Sequence, residues 1–353
     1  MARRGAHNGP VRGWWRRGLD RMLALMARGV LRVFFRDIEV VGLERIPRGV
    51  PLLVVANHVN ALVDAVLIHA FLGLRPRILA KSTLWRHPVV APLLLVAGAV
   101  PVYRRQDGLD TARNLDAFRR CRSALARGEA LLLFPEGTSH SHPYRLPLKT
   151  GAARIALGTV EGGPLGLRVV PVGLRYEAKG EFRSRVFIQV GEPLDPSPER
   201  ERYAREGRAA VRALTTRIAH GLDAVAHYGG SAGRSAPALP RPRRGFLLAA
   251  AMVPGVALNW LPYRLPGWIA QRLARRPDDP ATYKLLAALL TFPAAWTLEV
   301  VAAGSLGGAA AGVAVALLAP LTGLAALRYW ERPGGSSGGA ASPSGVDSAA
   351  PIR

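Results

Sequence analysis

Five short apolar runs, each closed by polar or turn-forming residues, set the main limit on what this chain can fold into. They are PLLVVA (51–56), PRILAK (76–81), ALLLFP (130–135), LRVVPVGLRY (167–176) and RVFIQV (185–190). Runs of this length read as strands, and several are apolar enough to be covered on both faces, as inside a sheet with helices above and below. Helical patterns lie between them. One spans 110–127, with Leu115, Phe118, Cys121 and Leu125 inward and Gly128 at its end; another spans 148–159. An Arg-rich helical stretch follows at 199–227. Strands alternating with helices over 49–191 predict an α/β layered domain.

The composition shifts on both sides of this region. Upstream, GWWRR (13–17) leads into 19–35, where Leu19, Met22, Leu23, Met26, Val30 and Val33 recur at helical spacing among Arg21, Arg28, Arg32 and Arg36. That pattern predicts a basic amphipathic helix suited to a membrane surface. Residues 1–17 lack an apolar core, so no cleavable signal peptide is expected. Downstream, 229–244 (GGSAGRSAPALPRPRR) reads as a linker. Beyond it come the apolar runs 246–261, 285–301 and 305–327. A crossing needs about 20 apolar residues, so the last two predict a transmembrane hairpin. Lys284 and Arg328 then place both of its ends on the cytoplasmic side. The first run is shorter and has arginines on both flanks, which predicts a re-entrant or interfacial segment. The Gly/Ser/Ala/Pro tail is disordered by composition.

Charge narrows the partners. The chain carries 48 Lys+Arg against 24 Asp+Glu, for a formal charge of +24. An anionic membrane suits this excess, each base near a charged leaflet adding about 1 kcal/mol. No zinc-finger or RNP-type pattern accompanies the charge, so no nucleic-acid partner is expected. The single Cys121 excludes a disulfide framework and fits a reducing compartment.

Chemistry-bearing residues stand where the apolar runs end. Asn57 and His58 follow the first, with Asp64 six positions beyond the histidine. Arg104 and Arg105 close GAVPVYRR (98–105). Glu136, Gly137 and Thr138 follow the run that ends in Pro135, and VVPVGLRY (169–176) contains Pro171. In open α/β sheets the carboxyl ends of strands converge on one crevice, where ligands bind. A histidine there can accept a proton near neutrality, and a carboxylate fixes its tautomer and supports the imidazolium. The two G-x-S-x-G matches, at 229–233 and 334–338, lie in linker and tail, without the strand-turn-helix context of a serine nucleophile. The base therefore activates a substrate hydroxyl. Arg104, Lys149 and the donors around Gly137 and Thr138 suit a phosphate on that substrate. Lys149 and Gly151 open the helix LKTGAARIAL, whose N-terminus adds to an anion site. His140 and His142 read as a solvated loop, with no third ligand to make a metal pair; no metal or cofactor is expected.

NH-x5-D, VPVYR, FPEGTS and VPVGL, in that order over about residues 40–195, resemble the four blocks of the glycerolipid acyltransferases, which include glycerol-3-phosphate and 1-acylglycerol-3-phosphate acyltransferases. The resemblance implies that His58 is the general base and Asp64 its partner. It implies that Arg104, Glu136, Gly137 and Thr138 engage the glycerol phosphate; Asn57, Arg105 and Lys149 are further candidate substrate contacts. Pro171 and its strand then shape the side of the acyl donor, a fatty acyl thioester on coenzyme A or acyl carrier protein. The usual spacing has four residues between His and Asp, whereas HVNALVD has five. The form N-H-x-N-x-x-x-D, with LNWLPYRLP and DDPATYKLLAALLTFP further on, resembles the branch acting on glycerol 3-phosphate or dihydroxyacetone phosphate. If 58–64 were one helix, Asp64 would lie about 600° round from His58, so the chain near Asn60 must turn differently.

The expected organisation is a membrane-associating segment (1–45), an acyltransferase domain (46–228), a linker (229–244), a hydrophobic membrane region (245–328) and a tail (329–353). The expected fold is α/β, a layered mixed sheet flanked by helices. The expected acceptor is glycerol phosphate or a lysophospholipid, met at the cytoplasmic face of an inner membrane. A non-catalytic lipid-binding protein of the same fold is the alternative.

Overall fold

The computed structural model describes residues 14–87, 90–104, 107–109, 112, 114–162, 166–226, 246–274 and 276–330. Arg105, the 229–244 linker and nearly all of the 329–353 tail lie outside them. The chain forms two compact units, Met1–Ala232 with Arg264–Thr291, and Gly233–Tyr263 with Phe292–Arg353.

The first unit is built in the order α1 (Trp14–Phe34), β1 (Asp37–Val41), β2 (Leu52–Ala56), α2 (Ala61–Phe71), β3 (Arg77–Lys81), α3 (Val90–Val96), β4 (Val100–Val102), α4 (Asn114–Ala126), β5 (Ala130–Leu133), α5 (Gly151–Gly162), β6 (Arg168–Tyr176), β7 (Arg185–Val190), α6 (Arg200–Arg205) and α7 (Gly207–Asp223). The seven strands form one mixed sheet in the order β1-β7-β6-β2-β5-β3-β4. From β6 to β4 all neighbours are parallel, while β7 runs antiparallel to β6 and β1 pairs parallel to β7. All five predicted runs are strands. DIEVV, ahead of residue 46, is a further one.

Side chains alternate across a strand, so β2 serves two cores. Leu53 and Val55 pack in one layer with Cys121, Ile155, Leu214 and Ile218. Leu52, Val54 and Ala56 pack in the other with Leu31, Phe34, Val63 and Leu67. Every residue of β2 is buried, which is why the run reads as continuously apolar.

Three helices differ from expectation. α4 begins at Asn114, whose carboxamide brackets the Tyr103 backbone: Oδ1 accepts from Tyr103 N at 2.8 Å and Nδ2 donates to Tyr103 O at 2.6 Å. That anchor sets the rotation of the helix. Ala117, Cys121, Ala124 and Leu125 face inward, and Leu115 is 67% exposed, against the expectation that it is core. Gly128 ends the segment at φ 78°, as predicted. The 199–227 stretch divides into α6 and α7 at Glu206, which leaves helical geometry (φ −132°, ψ 57°). In α1 the apolar residues occupy two faces. Ala24, Leu31 and Phe34 are buried, whereas Met22, Leu25, Met26 and Val33 are exposed.

The 264–291 part of the first unit holds the end of α8 (Phe246–Leu273) and the start of α9 (Pro280–Trp330). Ala281 is fully buried in the same layer as Val172 and Leu174, and Lys284 Nζ donates to Gly180 O at 2.7 Å.

In the second unit, α9 is interrupted at Gly308 (φ 80°, ψ 175°). A methyl group on Gly312 would lie 3.2 Å from Val300 O and 3.4 Å from Gly304 Cα. Asn259 Oδ1 accepts from Trp296 Nε1, and its Nδ2 donates to Ala319 O, both at 3.0 Å. Proximities between residues placed symmetrically about 308 mean that the chain doubles back there, so the predicted hairpin forms with its turn a few residues later than expected. The 246–261 run, expected to be a separate re-entrant piece, is the first part of the continuous helix α8. Among the described residues, the stretch Pro280–Leu327, which the break at Gly308 divides into two arms, is long and apolar enough by length and composition to cross a membrane.

Gly173 shows how tightly β6 meets the end of α7. A Cβ there would lie 2.1 Å from Val225 O and 2.4 Å from Val225 C, both backbone atoms. Overpacking costs about 1–3 kcal/mol, and more where backbone must yield. Gly173→Ala is therefore expected to lower the thermal unfolding midpoint by roughly 5–10 °C in a detergent-solubilised melt.

Candidate active site

Five parallel strands deliver polar residues from their carboxyl ends to one edge of the sheet. β2 supplies Asn57 and His58, β3 ends at Lys81, β4 leads to Arg104, β5 leads to Glu136–Thr138, and β6 ends at Tyr176 with Lys179 just beyond.

The central contact is His58 Nδ1 to Asp64 Oδ2 at 2.9 Å, with Asp64 fully buried and the His58 side chain 19% exposed. The six-position separation is closed by a turn. Ala61 adopts φ 44°, a left-handed conformation that costs a non-glycine residue about 1–2 kcal/mol. α2 begins only at Ala61, so Asp64 sits in its first turn, facing back over residues 58–60. Oδ2 also accepts from Val59 N (2.8 Å) and Asn60 N (2.7 Å), and Oδ1 accepts from Tyr176 Oη at 2.5 Å. Burial, then the charge of Asp64, holds the Tyr176 phenol well above its ordinary value, so it remains a donor. With Nδ1 committed to Asp64, Nε2 is left as the basic nitrogen. The imidazole lies flat on Phe134, centroids 4.0 Å apart and planes 14° from parallel.

The loop after β5 wraps this turn. His140 N donates to His58 O at 3.0 Å, and the buried His140 ring bonds Glu136 through Nε2. His140 Nδ1 accepts from His142 N at 3.2 Å, which places the ring proton on Nε2. Burial, then the charges of His142, His58 and Lys179, holds His140 below its usual range. His140 is thus part of the site wall, not the solvated loop residue expected. Gly137 takes φ 76°, and Lys149 lies across it, 3.2 Å from where a Cβ would stand. Arg104 binds this loop, with Nη1 on Gly137 O (2.9 Å) and Nε and Nη2 on Asp107 (2.8 and 2.9 Å). Thr138 Oγ1 donates to Ser139 O at 3.3 Å. Burial, then Arg104 and Arg276, pushes the Lys81 ammonium below its ordinary value, against Asp107 and Asp279. The arrangement is a base held by a buried carboxylate, beside a cluster of cations.

Two expected residues are placed elsewhere. The Asn57 carboxamide is spent on β6, donating to Leu174 O (2.9 Å) and accepting from Leu174 N (2.7 Å). Pro171 packs against Gly191 and Gly221, in the layer of α7. Its missing N–H falls between the Val169–Leu194 bridge and the β6–β7 ladder, which starts at Val172. Tyr176 and Lys81 went unread in the sequence, and His140 was read otherwise. Tyr176 shares the strand face of Val172 and Leu174, the face covered by α2, so parity was its signal. His140 follows Glu136 by four. Lys81 closes a predicted strand, as the recognised residues do.

Residues 37–175 match the Acyltransferase family. Over 280 residues the chain is 28% identical to an uncharacterised acyltransferase of Schizosaccharomyces pombe, covering 54% of this chain and 42% of that one. Over 95 residues it is 40% identical to glycerol-3-phosphate O-acyltransferase 2 of Saccharomyces cerevisiae, covering 26% and 13%. Over 154 residues it is 30% identical to the 1-acyl-sn-glycerol-3-phosphate acyltransferase of Borreliella burgdorferi, covering 44% and 57%. The chain thus spans less than two thirds of the length of each of these relatives. The crystal structure of the 1-acyl-sn-glycerophosphate acyltransferase PlsC of Thermotoga maritima aligns with a TM-score of 0.42 and 26% identity, over 59% of this chain and 82% of that one.

Asn57 and Tyr176 can be weighed by stability. Asn57→Ala leaves the Leu174 N–H and C=O unpaired and is expected to cost about 2–4 kcal/mol. Tyr176→Phe removes one bond to a buried carboxylate, for about 1.5–3 kcal/mol. Denaturant melts of both variants check the two values.

Proposed function

We propose that residues 37–175, which match the Acyltransferase family, form a domain of the glycerolipid type, and that the chain moves a fatty acyl group from acyl-CoA or acyl-ACP to a hydroxyl of glycerol 3-phosphate or lysophosphatidate. The observation that carries this reading is the 2.9 Å contact between His58 Nδ1 and the buried Asp64. His58 Nε2 takes the proton of the acceptor hydroxyl as its oxygen forms a bond to the thioester carbonyl carbon. Collapse of the tetrahedral adduct breaks the C–S bond, and the leaving thiolate takes the proton back from the imidazolium. Asp64 supports that imidazolium, and the Tyr176 phenol and the Val59 and Asn60 amides hold its carboxylate in place.

The acceptor phosphate is met by Lys81 and Lys149, with Glu136, Gly137 and Thr138 forming the loop between them. Arg104 serves chiefly to hold that loop, since its guanidinium already binds Gly137 O and Asp107. The non-catalytic reading was motivated by the five-residue spacing; the turn at Ala61, which brings His58 Nδ1 to 2.9 Å from Asp64, supports the catalytic one.

Membrane attachment is part of the proposal. Exposed Met22, Leu25, Met26 and Val33 give α1 an apolar stripe, and Leu298, Val301, Leu306, Val313, Leu317 and Leu321 are exposed along α9. An anionic inner-membrane leaflet, with the site on its cytoplasmic side, fits this surface and the net charge of +24.

Membranes expressing the protein are expected to transfer radiolabelled acyl groups from the thioester, and His58→Ala to lower the rate by about 10²–10⁴-fold. Undiminished transfer by the variant would remove the mechanism. The same assay run with glycerol 3-phosphate, dihydroxyacetone phosphate and lysophosphatidate identifies the acceptor as the one giving the highest kcat/KM.

A further inference from the structure

The turn joining α8 to α9 carries a carboxylate that the mechanism above does not use. Asp278 is 2% exposed, and a buried charge must be compensated. Its Oδ2 accepts from Ser139 Oγ, and its charge acts on Lys179 and His140. Each of these neighbours leads directly to the catalytic turn. Ser139 adjoins His140, whose N–H holds His58 O at 3.0 Å. Lys179 Nζ donates to Val59 O at 2.9 Å and to Ser141 Oγ, while Lys179 O accepts from Asn60 Nδ2 at 3.0 Å. The backbone of 58–60 is therefore gripped from two sides, by the loop after β5 and by the loop after β6, and both grips face Asp278.

The segment that bears Asp278 is itself anchored. Pro280 lies 3.8 Å from where a Cβ on Gly180 would stand. Ala281 fills the β6 side of the core, and Lys284 holds Gly180 O at 2.7 Å. A rigid support that ends in a buried charge beside the catalytic turn is the arrangement expected of a group that orients others.

We propose that Asp278 is a positioning residue of the acyl-transfer site, acting through Ser139 and Lys179 to fix the main chain at His58–Asn60, so that the segment between α8 and α9 completes the active site. This rests on the reading of His58 as the general base. A misplacement of about 1 Å lowers turnover by up to about 10²-fold without removing binding contacts, so the effect falls on kcat.

The test uses the full chain in membranes, with Asp278→Asn, Asp278→Ala, Ser139→Ala, the Asp278→Ala/Ser139→Ala double variant and His58→Ala. Asp278→Ala is expected to lower kcat by about 10–100-fold while the KM values for donor and acceptor stay within about twofold. Asp278→Asn, which keeps an acceptor for Ser139, retains more activity than Asp278→Ala. The double variant is no worse than Asp278→Ala alone, because both changes break one linkage. Wild-type kcat in both Asp278 variants beside an inactive His58→Ala overturns the proposal alone, whatever their melting temperatures. Losses that multiply in the double variant also overturn it. Wild-type turnover by His58→Ala instead overturns the base reading beneath it.

Discussion

A carboxylate with no exposed surface organises this protein. Asp64 sits at the carboxyl edge of a parallel sheet with no exposed surface, and four donors from two stretches of chain converge on it. Two come from the backbone of the turn before α2, one from the His58 ring and one from the end of β6. The left-handed Ala61 closes the turn whose 59 and 60 amides point at the carboxylate. Without Asp64, the strained turn loses the bonds that offset it.

Around this centre most other charges are already paired. Arg104 lies against Asp107, Glu136 against His140 and Asp278 against Ser139, so the edge of the sheet is a lattice of satisfied polar groups. The exposed Lys149 ammonium makes no hydrogen bond or ion pair among the described residues, and Lys81 is only partly balanced. The two lysines thus stand apart from the paired charges around them.

Much of this was legible in the sequence, for particular reasons. The apolar runs announced β2 and β6 because strands covered on both faces leave few polar positions, and β3, β5 and β7, less completely buried, by their turn-bounded aliphatic and aromatic residues. His58, Asp64, Glu136 and Gly137 stood out because polar residues at the ends of such runs have few structural uses. What stayed hidden depended on distant chain. β1 is half-exposed and short, so DIEVV gave no strong period. Leu115 was misplaced because the rotation of α4 is set by Asn114 gripping Tyr103, a contact that apolar spacing does not encode. Asn57 was read as a substrate ligand because nothing local shows that Leu174, 117 positions away, consumes its amide. Asp278 lies 139 residues from Ser139 and beyond a compositional boundary, where no motif reading would look for part of the site.

The pairing of β1 with β7 also has a consequence for how the protein is made. Asp37 meets Arg185 in the finished sheet, 148 residues later in the chain. At ribosomal rates of about 5–20 residues per second, β1 waits roughly 7–30 s for its neighbour. Ala281, which fills the core beside β6, emerges later still. During synthesis the sheet edge is therefore open and its core unfinished until chain from the start of the final apolar helix appears. A nascent protein in that state needs its strands shielded.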